Sequence, residues 1–288
     1  MAKIGVIGGS GLYDVKELEA KKWVKVTTPF GSPSDDYLTG KLEGCDLVFL
    51  PRHARGHKIL PSELNYRANI YGMKKLGVEW IISVSAVGSL KEAIKPLDIV
   101  IVDQFVDRTN QARKTTFFGD GVCGHIGFAD PICSGLSKIL YEVAKEQGAT
   151  VHKSGTYINM EGPAFSTKAE SNLYRSWGMD IIGMTNMAEA RLAREAEICY
   201  ATMAMVTDYD CWRQVEDAEH VTIDMIIENL MKNVDTAKRI IKSAIGKIPQ
   251  KRACSCATAL KDGIITSSKF IPEKKKEELN LIIGKYLK

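Results

Sequence analysis

Residues 198–212 read ICYATMAMVTDYDCW, an unbroken apolar run that ends on two aspartates, Asp208 and Asp210. A strand with one face in water alternates apolar with polar residues, whereas a strand covered on both faces is apolar throughout. The run therefore reads as a strand inside a sheet with helices on both sides. Its companions in the sequence agree. KIGVIGG (3–9), CDLVFLP (45–51), EWIISVSAVGSL (79–90), LDIVIVDQF (97–105), TYINMEG (156–162) and MDIIGMT (179–185) are further short strand-like runs. Helical spacing of apolar residues marks SELNYRANIYGMKKLG (62–77), SGLSKILYEVAKEQG (134–148), TKAESNLYRSWG (167–178), NMAEARLAREAE (186–197) and the long stretch 221–247. This alternation predicts an α/β fold: one domain over residues 1–288, with a twisted, mostly parallel mixed sheet flanked by helices. The segment after about residue 250 is expected to cap that domain.

Composition narrows the function. The chain has 288 residues, 45% hydrophobic and 26% charged, with a net charge of only +4 and no basic stripe, which argues against nucleic acid as a partner. No apolar run approaches the roughly 20 residues needed to cross a bilayer, and MAKIGVIGG lacks the basic start and cleavage site of a signal peptide. The expectation is a cytoplasmic protein with a small-molecule partner and no membrane. Seven cysteines at irregular spacing read mostly as buried free thiols. Cys254-Ser-Cys256 is the exception, a candidate for a small strained disulfide or for two metal ligands. No CxxC or paired His completes a zinc site, so no metal is expected.

In an open α/β sheet ligands collect beyond the carboxyl ends of the strands, and the unusual residues of this chain sit there. Gly8-Gly9-Ser10-Gly11 follows the first strand: it suits a phosphate loop, a tight turn or, less well because the GxGxxG spacing is absent, a dinucleotide fingerprint. Pro51-Arg52-His53-Ala54-Arg55-Gly56-His57 follows the second, and its planar guanidiniums and adjustable imidazoles suit phosphate oxygens, the alternative being a solvated loop. Ser83 to Ser89 supplies small residues with hydroxyls and backbone N–H groups. On an extended strand residues i and i+2 face one side, so Asp208 and Asp210 should share one space. Close, buried carboxyls repel and lose solvation, so one of them can hold a proton near neutral pH. Such a pair suits a ring with a nitrogen to protonate and an amino group to hold; a turn closed by a salt bridge is the plainer reading.

Together the stretches IGVIGGSGLYD (4–14), PRHARGH (51–57), SVSAVGSL (83–90), NMEGPAFST (159–167), GMTNMAEARLAREAE (183–197) and VTDYDCW (206–212) resemble the S-methyl-5′-thioadenosine phosphorylase family of nucleoside phosphorylases, in family order. The resemblance implies phosphorolysis of S-methyl-5′-thioadenosine to adenine and 5-methylthioribose 1-phosphate. It places Ser10, Arg52, His53, Ser85, Ala86 and Thr185 at phosphate, with Ser at two positions where other members carry Thr. Met184 falls at the ribose, Phe165 and Ser166 at the base, and Asp208 and Asp210 at adenine, with Asp208 the catalytic acid at purine N7. Ser166 and Val221 mark specificity, Val221 by shaping the pocket around the 5′ substituent. His125 resembles a residue that reaches the neighbouring subunit's site in a homo-oligomer, trimer or dimer of trimers. Inorganic phosphate is the nucleophile and co-substrate, so the resemblance implies no cofactor. Relatives acting on inosine and guanosine use an Asn and a Glu at the base, so TDYDCW favours 6-aminopurines. The alternative within this class is a broad purine nucleoside phosphorylase acting also on adenosine or inosine. A nucleotide sensor or dinucleotide-binding module is the alternative outside it, and such a module has no use for a separate site for free phosphate.

Overall fold

The computed structural model describes residues 2–287 apart from 10, 16, 111 and 214–222, and no side chain of residues 223–226. Ser10 and Val221 therefore lie outside the described residues. The runs that open the strand series form β1 (Lys3–Gly8), preceding the edge strands β2 (Glu19–Val24) and β3 (Tyr37–Leu42), and then β4 (Cys45–Pro51) and β5 (Val78–Ser89). Next come β6 (Ile99–Ile101), β7 (Gln104–Arg108), β8 (Val151–His152), β9 (Thr156–Met160), β10 (Ile181–Gly183) and β11 (Cys199–Tyr209). The sheet runs β2-β3-β4-β1-β5-β10-β9-β7, with β11 also on β5, β6 on β11 and β8 on β6.

The fold class is as expected, a mixed α/β sheet flanked by helices. β1 runs parallel to β4 and β5, β11 parallel to β5, and β9 parallel to β7 and β10, while β2–β3, β3–β4, β5–β10 and β6–β11 are antiparallel. β5 is the hub. On one edge it takes β1 and then the end of β10, and on the other it pairs with β11 from Trp80 to Ser89. From Cys199 to Thr207 every residue of β11 is buried, as its continuous apolar sequence requires.

The helices are α1 (Tyr66–Lys75), α2 (Ser134–Glu146), α3 (Lys168–Ser176), α4 (Asn186–Glu195), α5 (Ile223–Ile245) and α6 (Glu273–Ile283). Local chemistry starts several of them. The Asn65 side chain accepts from Ala68 N at 3.1 Å to cap α1, and Thr167 with Glu170 forms a capping box on α3. α2, α4 and α5 all pack on β11.

Two details differ from the sequence reading. LDIVIVDQF is two strands, because residues 99–101 pair with β11 and β8 while 104–108 pair with β9. β2 and β3, unmarked by any apolar run, add an antiparallel edge to β4. The C-terminal segment docks as expected: Leu260, Ile271, Leu279, Ile282 and Ile283 are buried in the main core.

Candidate active site

The carboxyl ends of β1, β4, β5 and β11 open on a cavity of about 410 Å³. At one side lies Arg52, the residue after β4. Its guanidinium is buried (3% exposed), and Nε donates to Glu189 Oε1 at 2.5 Å. Nη2 donates to Glu189 Oε2 at 3.1 Å and to Ser83 Oγ at 2.7 Å, and Nη1 to the Val84 carbonyl at 2.9 Å. Four of the five guanidinium N–H groups are thus spent on holding the fork in place, which leaves one on Nη1 for a ligand. Burial works against the charge, but Glu189 more than offsets it and holds the guanidinium in its charged form. Ser83, Asn186 and Tyr200 complete the network, and the Tyr200 hydroxyl donates to Glu189 Oε2 at 2.9 Å.

His53 stands beside Arg52. Its Nδ1 lies 2.8 Å from the Ile59 carbonyl, which can only accept, so Nδ1 carries the proton and Nε2 is an acceptor while the ring is neutral. Burial and the neighbouring Arg52 charge push its pKa down to about 4, so it is neutral at pH 7. His57 stacks on it, ring centroids 4.5 Å apart. Ser85, Ala86 and Thr185 line the same wall. Thr185 is the N-cap of α4, yet its side chain makes no capping bond. The Met187 amide in the first turn of α4 is taken by Asn159 Oδ1 at 3.1 Å, so what this end of the helix offers an anion is the Thr185 hydroxyl and the positive end of the helix dipole.

The opposite wall is acidic. A register shift between Val206 and Asp208 inserts Thr207 as an extra residue opposite Val87 and Gly88, and beyond it Asp208 and Asp210 both line the cavity. Asp210 lies one residue past the strand, tied by its N–H to the Ser89 carbonyl at 3.0 Å. Asp208 Oδ1 accepts from Thr207 Oγ1 at 2.6 Å. Burial pushes Asp208 up to about 6; the Thr207 hydroxyl moderates this, and the Asp210 charge adds to it. Asp210 is raised as well, again by burial, and its Oδ2 has no hydrogen-bond partner among the described residues. A buried acceptor without a partner beside a carboxyl that titrates near neutrality is prepared for a ligand that donates to one and takes a proton from the other.

Met184 and Phe165 also line the cavity, Phe165 65% exposed. The Met184 carbonyl accepts from buried Arg113 and, at 3.2 Å, from Asn159 Nδ2. Ser166 does not line the cavity. It is buried next to it, with Oγ on Met160 Sδ at 3.8 Å and its carbonyl accepting from Cys211 Sγ at 3.1 Å. His125 is exposed and does not line the cavity, its N–H bound to the Gly263 carbonyl at 2.7 Å. The cationic loop divides: Arg55 turns outward, bound to Asp35 at 2.7 Å and stacked 4.1 Å above Trp23.

Glu189 and Arg113 escaped the sequence reading. A glutamate on the inward face of a helix otherwise marked by alanines was the available signal for Glu189, since a buried carboxylate calls for a buried cation. Nothing local marks Arg113. The cysteines are free thiols, as expected of most of them; the candidate Cys254–Cys256 disulfide is not formed, and Cys254 points to Cys199 and Cys133 instead.

Residues 3–246 match the model of the phosphorylase superfamily. The chain belongs to that family. It is 61% identical over 284 residues to the S-methyl-5′-thioadenosine phosphorylase of Geobacter sulfurreducens, covering 99% of both chains. It is 56% identical over 285 residues to the enzyme of the same name from Koribacter versatilis, covering 99% of this chain and 97% of the relative. Among solved structures, a methylthioadenosine phosphorylase from an Antarctic soil metagenomic library superposes with a TM-score of 0.92 at 49% identity, covering 98% of each chain. The methylthioadenosine phosphorylase of Schistosoma mansoni in complex with adenine gives 0.84 at 37% identity, covering 91% of this chain and 97% of the other.

Proposed function

We propose that the chain phosphorolyses S-methyl-5′-thioadenosine to adenine and 5-methylthioribose 1-phosphate. The observation that carries this is the placement on one cavity of two carboxyls of raised pKa and a buried guanidinium, with Thr185 at the start of α4 beside them. The relatives favour this substrate over a broad purine specificity.

In this reading phosphate sits between Arg52, His53, Ser85, Ala86, Thr185 and Ser10. Neutral His53 accepts from the phosphate O–H through Nε2, while the free Arg52 N–H and the Thr185 hydroxyl hold the charged oxygens. A phosphate oxygen attacks C1′ as the bond from C1′ to N9 breaks. Protonated Asp208 gives its proton to N7, so adenine leaves neutral; help of this kind is worth about 10²–10⁴-fold. Asp210 accepts from the 6-amino group, which supplies the partner its Oδ2 lacks. Met184 contacts the ribose and Phe165 covers the base. Ser166 acts from behind the wall and Val221 near the 5′ substituent. Phosphate is the co-substrate, and the reaction calls on no resident cofactor.

We also read residues 1–288 as one domain of a cytoplasmic homo-oligomer, trimer or dimer of trimers. Its support is the exposed position of His125, which does not line its own chain's cavity, and the absence among the described residues of a helix long and apolar enough to cross a membrane. The test is product analysis with phosphate present and omitted. Adenine and a phosphorylated methylthiosugar should form only with phosphate, whereas adenine with a free sugar in its absence makes the chain a hydrolase.

A further inference from the structure

Far from the cavity, four thiols converge from distant parts of the chain. Cys133 caps α2, Cys199 opens β11, and Cys254 and Cys256 flank the start of the 3-10 turn Ser255–Thr258. Their Sγ atoms all lie within 4.8 Å of one another. Cys254 Sγ is 3.8 Å from Cys133 Sγ and 3.2 Å from Cys199 Sγ. A disulfide needs about 2.05 Å between sulfurs. A tetrahedral zinc thiolate with bonds of about 2.3 Å has sulfurs about 3.8 Å apart along every edge.

We propose that Cys133, Cys199, Cys254 and Cys256 form a structural Zn²⁺ site. Four sulfur ligands in a compact cluster suit zinc or iron among the common metals, and a closed set of four leaves no position for substrate. Binding replaces four S–H bonds with four S–Zn bonds and releases four protons, with no change of oxidation state. The surroundings fit. Cys133, Cys199 and Cys256 are buried, and Cys133 is the N-cap of α2, at the positive end of that helix's dipole, where thiolate charge is favoured. Cys133, Cys254 and Cys256 also border an open groove of about 1210 Å³, which gives the ion a way in. Spacing alone conceals the site, because only the Cys-x-Cys pair is local while the other two ligands come from residues 133 and 199. The consequence is a clamp that fastens the C-terminal segment to β11 and α2.

The test is metal analysis of the full-length protein, produced with zinc in the medium and dialysed without chelator. About one zinc per chain is expected. Cobalt substitution should give the visible bands of a tetrahedral thiolate complex. Cys133→Ser and Cys256→Ser should each reduce zinc content at least several-fold, while Cys45→Ser leaves it unchanged. Metal-free protein under these conditions overturns the proposal. So does an intact mass, measured without reductant, that lacks the four thiol hydrogens, because it shows two disulfides in place of the metal. Both measurements use the unmodified chain and hold even where a serine variant does not fold.

Discussion

Asp208 costs the folded chain stability at the pH where it serves. Its folded pKa of about 6 lies above the unfolded value of about 3.9, so the protein binds this proton more tightly when folded. The stability linked to that proton is fully present below pH ~4 and is lost as pH rises through about 6, at most about 3 kcal/mol in all. Asp208→Asn does not titrate. In urea unfolding without ligands, the stability of the Asn variant relative to the parent should therefore rise between pH ~4 and ~7.5, and a gap that stays constant contradicts the raised pKa. At this scale the sequence was readable where chemistry is local: the i, i+2 spacing of Asp208 and Asp210 survives, although it is Thr207 in the bulge that sets their direction. It was silent where partners are remote, as with Arg52 and Glu189, which lie 137 residues apart.

The bent pair β5–β11 turns these residues into a site. Gly88 is paired with Asp208, and a Cβ there would meet Asp208 Oδ2 at 3.3 Å, Asp210 Cβ at 3.4 Å and Ile182 Cγ2 at 3.1 Å. Gly88→Ala should displace the carboxyls by a few tenths of an ångström, reducing kcat/KM about tenfold or more at a stability cost of about 1–3 kcal/mol. Steady-state kinetics and a thermal melt measure the two, and unchanged kinetics would show that the carboxyls need no such room. Elements buried on both faces were legible because their sequences are continuously apolar, as in β11, or helically periodic, as in α2. β2 was not, since EAKKWV is almost wholly exposed and its strand form comes from pairing with β3. The break between β6 and β7 was hidden because no glycine or proline marks it and only their different partners separate them.

At the scale of the molecule, the C-terminal segment is held by a carboxylate that local pattern does not reveal. Glu197 is 2% exposed; its Oε1 accepts from Leu260 N at 3.1 Å and Tyr286 Oη at 2.6 Å, and its Oε2 pairs with Lys285. Glu197→Ala leaves these donors unpaired and should destabilise the chain by about 3 kcal/mol in chemical denaturation, against under 1 kcal/mol if the segment contributes little. The reaction, too, belongs to the whole molecule, because one cavity joins the ends of β4, β5 and β11 to the start of α4. The measurement that bears most directly on it is kcat/KM of Asp208→Asn and Asp210→Asn with methylthioadenosine and with methylthioinosine. If Asp210 reads the 6-amino group and Asp208 protonates N7, Asp210→Asn loses far more on methylthioadenosine than on methylthioinosine, while Asp208→Asn loses on both, because both purines present N7. Equal losses of Asp210→Asn on both substrates, or an unimpaired Asp208→Asn, contradict it.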